Sequence, residues 1–412
     1  MSTYLQRQAL YPKIIEKTIN NDLAIIVVIP AFDEPDIIST LKSLLACDKP
    51  QCAIEVIVAI NYGEHIAEEL KIKSNIQSEK VRDWMLANET AQFKMHTILL
   101  DDLPKKHAGV GLARKIAMDE AVRRFEAIDT NGTLVCLDAD CTVSKNYLKQ
   151  IEEHFKINIK CIAANVDFEH ILKDEKEDNA IILYELFLRY YIEGLRYADY
   201  HFAFHTIGST IIVKSKTYQK QGGMNKRKAG EDFYFLHKIF PLGDFGEISK
   251  ATVYPSARTS HRVPFGTGKA ILEWNEGKKD LNLAYDFEVF QLLKQLFNSI
   301  NKSFEISSIE DLNLNSMITD YLHTIEYEKA LQEIRQNTSD KKSFTNRLKR
   351  YWDGFKVLKL VHYLRDEHLP QKNLVNMAAV LLAEKYNLKI IAEDKSAMAL
   401  LKRYRQQQKK RN

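Results

Sequence analysis

Four apolar runs mark the first third of the chain, and the segments between them carry polar turns and hydrophobic residues at helical spacing. Leu23-Ala24-Ile25-Ile26-Val27-Val28-Ile29 has no polar member, the pattern of a strand buried on both faces of a parallel sheet. It breaks at Pro30-Ala31-Phe32-Asp33-Glu34-Pro35, after which Ile37, Ile38, Leu41, Leu44 and Leu45 recur at helical spacing. Ile54-Glu55-Val56-Ile57-Val58-Ala59-Ile60 is the second run and ends in Asn61-Tyr62-Gly63. The third, residues 96–100, passes through a charged turn into a helix predicted over 110–125, and Thr133-Leu134-Val135-Cys136-Leu137 is the fourth. Strands alternating with helices predict an α/β fold with a doubly wound, mostly parallel sheet flanked by helices, whose ligands lie at the strand carboxyl ends. Beyond about Ala270 strand signals fade, and residues such as Leu358, Leu360, Val361, Tyr363 and Leu364 suggest packed helices. The expected organisation is therefore a sheet domain over 1–269 and a helical C-terminal region over 270–412.

At 412 residues the chain exceeds one ordinary core. Its 59 basic and 55 acidic side chains give a formal net charge of +4, which argues against nucleic acid as the main partner. Five cysteines with no C-x-x-C pair suit a reducing cytoplasm, with Cys136 and Cys161 as small core residues. The first 20 residues lack the apolar stretch of a signal peptide, and no run reaches the ~18–20 uncharged residues of a membrane span. The basic end, Lys402 to Arg411, reads as a frayed solvated terminus, with peripheral contact to an anionic membrane leaflet as the functional alternative.

The fourth run ends in Asp138-Ala139-Asp140. Strand alternation would aim the two carboxylates apart, one to a hard divalent cation and one to a ribose hydroxyl or a bridging water. Any acidic turn produces the same triplet, so it says little alone. Gly109-Val110-Gly111 evokes a dinucleotide fingerprint, but Arg114 stands where Gly or Ala is needed and the segment follows the third strand.

Together the motifs resemble family 2 glycosyltransferases of the GT-A fold. Val27-Val28-Ile29-Pro30-Ala31-Phe32-Asp33-Glu34 is similar to their opening motif, and Asp138-Ala139-Asp140 to their metal and nucleotide motif. Gly222-Gly223-Met224 followed by Gly230-Glu231-Asp232 resembles the segment that carries their catalytic base, after a glycine-containing loop at residues 205–210. His261 falls where many members have a late metal-binding histidine. The chain departs from the pattern at Asp33, where asparagine is usual, and at Asn61, where an aspartate is.

The resemblance implies a nucleotide-sugar-dependent enzyme adding one sugar to a glycan, lipid-linked or other glycoconjugate acceptor, without a transmembrane span. Asp140, Asp138 and His261 would hold Mn²⁺ or Mg²⁺ as a cofactor. Asp232, beside Glu231, would be the general base, giving inversion. Glu231-Asp232 also simply suits the positive end of a helix dipole. Pro30, Phe32, Glu34, Asn61, Lys106, Arg114, Asp138, Gly208 and Arg262 are the expected donor-binding residues, and Asn61 favours a uracil edge and hence UDP. Arg258, Arg262 and Gly266-Thr267-Gly268-Lys269 form a basic loop expected to close over the diphosphate. The aromatic stretch Tyr184, Phe187, Tyr190, Tyr191, Tyr197, Tyr200, Phe202 and Phe204 reads as core, with sugar stacking as the alternative. The competing function class is a catalytically silent GT-A module that binds nucleotide sugar or glycan, or scaffolds partners through its helices. A nucleotidyltransferase would carry a Gly- and Lys-bearing loop after the first strand, and residues 30–35 contain neither.

Overall fold

The computed structural model describes residues 2–176, 178–259, 266–300, 302–306, 308–389 and 396–411. The expected strands are present as β1 (Leu23–Ala31), β2 (Ala53–Gly63), β3 (Phe93–Leu103) and β4 (Thr133–Cys136). They pair in parallel in the order β3-β2-β1-β4, with Val27 opposite both Val56 and Val135. Four more strands extend the sheet: β5 (Thr142–Val143), β6 (Cys161–Phe168), β7 (Ile211–Lys214) and β8 (Asp244–Tyr254). The full order is β3-β2-β1-β4-β7-β6-β8-β5. β7 runs antiparallel to both neighbours and β5 antiparallel to β8, so the eight-stranded sheet is mixed.

The helices before the aromatic stretch are α1 (Thr3–Gln8), α2 (Ile37–Leu45), α3 (Glu68–Asn88), α4 (Val110–Ala127) and α5 (Tyr147–Ile157). Then come α6 (Asn179–Tyr197), α7 (Ser215–Lys220) and α8 (Glu231–Ile239). Strand alternation divides the work between the two faces of the sheet. Ile25, Val27 and Ile29 join a core with Ile37, Leu41 and Leu44 of α2 and Tyr147, Leu148 and Ile151 of α5. Ile26 and Val28 are fully buried on the other face, and α4 packs against β1 and β2. Residues 2–15 strap α4 in turn: Tyr4 donates to Asp119 at 2.6 Å, and the Ile15 amide donates to Glu120 at 3.0 Å.

The β1–β4 ladder ends at Val28–Cys136, so Pro30, buried one turn of the pleat further on, removes no rung on that side. Chain order reverses here, because β2 and β3 lie beyond β1 while β4 lies on its other side. That is the switch point at which open α/β sheets bind ligands.

The chain forms two compact units, residues 1–171, 206–269 and 409–412, and residues 172–205 and 270–408. The second differs from a plain split at residue 270, because α6 belongs with the later helices. The physical reason is its apolar surface. Tyr190 meets Phe290 edge-on at 5.4 Å and Phe187 meets Tyr285 at 5.9 Å, so the aromatic stretch is largely core. The basic C-terminal segment is not frayed. Residues Ala397–Lys409 are helical, with Leu400, Leu401 and Tyr404 buried in the second unit and Arg405 paired to Glu185 at 2.6 Å. No helix among the described residues is long and apolar enough to cross a membrane. All five cysteines are free thiols, and Cys136 and Cys161 are buried as expected.

Candidate functional site

Beyond β4 the chain makes a turn in which the Cys141 amide donates to the Asp138 carbonyl at 3.1 Å. Two further bonds fix this turn at the switch point. The Leu137 amide donates to the Val28 carbonyl at 3.1 Å, and the Thr40 hydroxyl of α2 donates to the Ala139 carbonyl at 2.8 Å. The two acids do point apart, but turn geometry rather than strand alternation separates them, since the strand has ended at Cys136.

Asp138 reaches Arg114, whose Nη2 donates to its Oδ1 at 2.6 Å. The other guanidinium nitrogen, Nη1, pairs with Glu231. Arg114 lies in the second turn of α4 and is only 1% exposed, so it joins the acid turn to the start of α8 from below. Gly208 rests against the same guanidinium, 3.0 Å from Nη1 at the point where a Cβ would stand. The Gly208 amide donates to the Asp232 carboxylate, which also accepts from the Phe233 amide at 2.7 Å. Five sequence-predicted residues (Arg114, Asp138, Gly208, Glu231 and Asp232) thus meet at one place.

Local rules put Glu231 and Asp232 there. Gly230 takes the left-handed conformation at φ 69°, which turns the chain into α8 with both acids in its first turn. The loop before α8 lies directly on Gly111, where a Cβ would overlap the Arg227 carbonyl oxygen and come within 3.0 Å of Glu231 Cβ. Close packing of this loop accounts for Gly111 in the Gly109-Val110-Gly111 segment. Asp33 is left-handed at φ 47°, a conformation that aspartate and asparagine adopt more readily than most residues.

The carboxyls respond to burial. Burial raises Glu231 up to about 7, aided by Asp232 and Asp138, with Arg114 opposing. Asp232 is raised for the same first reason, with Arg114 and the Phe233 and Gly208 amides pulling it back. Arg114 itself is driven further into its charged form by Glu231 and Asp138. The two ends of the Arg114–Glu231 pair thus point in opposite senses. A guanidinium cannot give up its charge, so the pair is fully ionic only above about 7, where Glu231 has lost its proton.

A second cluster stands beside the first. Asp140 and Glu34, from the ends of β4 and β1, converge on Arg258 Nη2, Asp140 at 3.4 Å and Glu34 in direct contact. Glu34 is buried, whereas Asp140 keeps 29% of its side chain exposed. Two carboxylates converging on one positive centre match the donor set of Mg²⁺ or Mn²⁺ when substrate phosphates and water complete the shell. No group of three or more His, Cys, Asp and Glu with metal-holding geometry occurs among the described residues. His261 and Arg262 lie outside those residues.

The remaining predicted residues are more scattered. Phe32 is half-buried after β1, and Asn61 is buried inside β2, opposite Leu100, rather than at the strand end. Lys106 is exposed in the turn before α4. Among the described residues, no side-chain hydrogen bond ties Asn61 or Lys106 to either cluster. Arg258, expected to face a diphosphate from a closing loop, clamps Glu34 to Asp140. No local sequence signal announces a pairing across more than two hundred residues.

No protein-family model matches the sequence, and no curated protein matches it. Among solved structures, the chain is similar to S. aureus TarS residues 1–349 in complex with UDP-GlcNAc, at 14% identity and a TM-score of 0.41, over 89% of this chain and 93% of that one. It is similar also to the same TarS fragment in complex with UDP, at 14% identity and a TM-score of 0.37, over 90% and 94% of the two chains. A further structure of S. aureus TarS matches at 15% identity and a TM-score of 0.37, over 83% of this chain and 55% of that one.

Proposed function

We propose that the chain is a glycosyltransferase that moves one sugar from a nucleotide-sugar donor, UDP-linked by preference, to a glycan or glycoconjugate acceptor, with inversion and with a divalent metal. The observation that carries this reading is Arg114. By bridging Asp138 to Glu231 it binds the acid turn at the sheet's switch point to the helix that presents Asp232. A donor subsite and a base are thereby held in one rigid frame, which is what transfer between two bound substrates needs.

In this mechanism the donor lies at the carboxyl ends of β1 and β4. Glu34 and Asp140 would hold the cation, with Asp138 turned to the ribose side. A bound divalent ion supplies Lewis-acid neutralisation of the leaving diphosphate. Asp232 accepts the acceptor hydroxyl's proton at its carboxylate as that oxygen attacks the anomeric carbon. The Gly208 and Phe233 amides keep this carboxylate oriented and hold down a pKa that burial raises. Among the described residues, five carboxylates (Glu34, Asp138, Asp140, Glu231 and Asp232) face two guanidinium groups, and a divalent ion would add positive charge for the diphosphate.

The test is thermal stability against UDP, GDP, CMP and their common sugars, with and without Mn²⁺, in wild type and Asp140→Ala. Ligand at ~100 times its dissociation constant adds about 2.7 kcal/mol. The expected result is stabilisation by one nucleotide class that requires metal and vanishes in Asp140→Ala. A chain indifferent to every nucleotide would refute the transferase reading. Binding without turnover on any acceptor would favour a silent nucleotide-sugar module.

A further inference from the structure

Arg258 follows β8, four residues beyond Tyr254. Its Nη2 lies 3.4 Å from Asp140 Oδ2 and in contact with Glu34 Oε2, while its side chain keeps 32% of its surface exposed. Two carboxylates brought together from neighbouring strand ends repel each other. At ~4 Å and an effective dielectric near 20 that repulsion is about 4 kcal/mol, so some cation has to stand between them. Among the described residues, the Arg258 guanidinium stands there.

We infer that Arg258 occupies the cation position of the donor site and competes with the divalent ion for Glu34 and Asp140. The inference deepens the transferase reading and rests on it for the identity of the site. Competition from a tethered side chain acts as a constant tax. If Arg258 is seated for nine-tenths to ninety-nine hundredths of the time, the apparent dissociation constant for the ion is about 10–100 times the intrinsic one. A doubly charged ion arriving with a diphosphate overcomes that tax, because it binds both carboxylates and the phosphates together. The displaced guanidinium then has an anion beside it. Its Nε and Nη1 donors make no hydrogen bond among the described residues, and they form the planar fork that pairs with phosphate oxygens. Free metal is thereby refused, and metal with donor is accepted.

The experiment measures Mn²⁺ binding to the full chain directly, from the electron paramagnetic resonance signal of the free ion, with no turnover involved. Wild type is expected to bind Mn²⁺ alone weakly, Arg258→Ala at least tenfold more tightly, and Arg258→Ala/Glu34→Gln as weakly as wild type again. Lys73→Ala controls for general charge, since Lys73 pairs with Asp33 and touches neither carboxylate. Its effect is expected to stay within about threefold. With saturating UDP the order reverses, and wild type holds the Mn²⁺–UDP pair more tightly than Arg258→Ala. Equal Mn²⁺ affinity in wild type and Arg258→Ala would overturn the inference, as would a gain that survives Glu34→Gln or is matched by Lys73→Ala. If UDP binds but neither protein takes up Mn²⁺, competition is refuted and a metal-free transferase stands. If neither UDP nor Mn²⁺ binds, both readings fall.

Discussion

Replacing Arg114 by methionine keeps most of the side-chain volume and removes the one charge that both Asp138 and Glu231 lean on. The two acids differ in what they lose. Asp138 is 39% exposed at its side chain and can turn to water, whereas Glu231 keeps only 5%. The cost therefore falls on Glu231, and breaking a buried pair at one end typically costs about 3–5 kcal/mol. For a unit of this size that corresponds to roughly 6–20 °C in Tm, at about 2–4 °C per kcal/mol. The loss should also grow with pH. Burial already holds Glu231 at about 7, and without Arg114 it rises further. A carboxyl raised on folding contributes stability while protonated and loses it as pH climbs, at about 1.4 kcal/mol per unit. Tm of Arg114→Met should therefore diverge from wild type between roughly pH 7 and 9, where wild-type Glu231 has finished titrating. Thermal unfolding across that range reads the effect, and Arg114→Met/Glu231→Gln should recover at least half of the loss. A loss below about 1 kcal/mol, or no recovery in the double variant, would refute the assignment of Arg114 as the counter-ion of this site.

Three further outcomes are expected. Asp232→Asn should lower kcat by about 10²–10⁴ while the donor KM moves less than about threefold, since only the base is lost. Equal activity would remove Asp232 from the chemistry. Gly111→Ala pushes a Cβ into the Arg227 carbonyl and toward Glu231, and should destabilise by about 1–3 kcal/mol and displace α8. Chemical denaturation and transfer rate should both fall, and a change in neither would contradict the packing. In wild type, protonated Glu231 supplies stability that disappears between its ordinary value near 4.5 and about 7, so Glu231→Gln should flatten the slope of Tm against pH in that window. An unchanged slope there would show that Glu231 does not titrate as the geometry requires.

The sequence by itself determined the elements whose information is local. Parallel strands buried on both faces read as unbroken apolar runs, so β1, β2 and β4 were legible to within a few residues. β3 extends to 93–103 where the pattern predicts 96–100, because an edge strand carries polar residues such as Lys94 and Asp101 at its ends. Gly230 and the acids after it announced a helix start by themselves. Tertiary structure alone decided which charges share a partner. Arg114 and Arg258 look alike in sequence as basic residues, yet one is a buried strut between Asp138 and Glu231 and the other a half-exposed clamp on Glu34 and Asp140. Likewise α6, whose aromatic face the sequence displays, could be assigned to the second unit only once Phe290 and Tyr285 stood against it. Hydrophobic periodicity records whether a residue faces inward. Which distant group it meets there depends on strand order and loop closure, and those are properties of the whole chain.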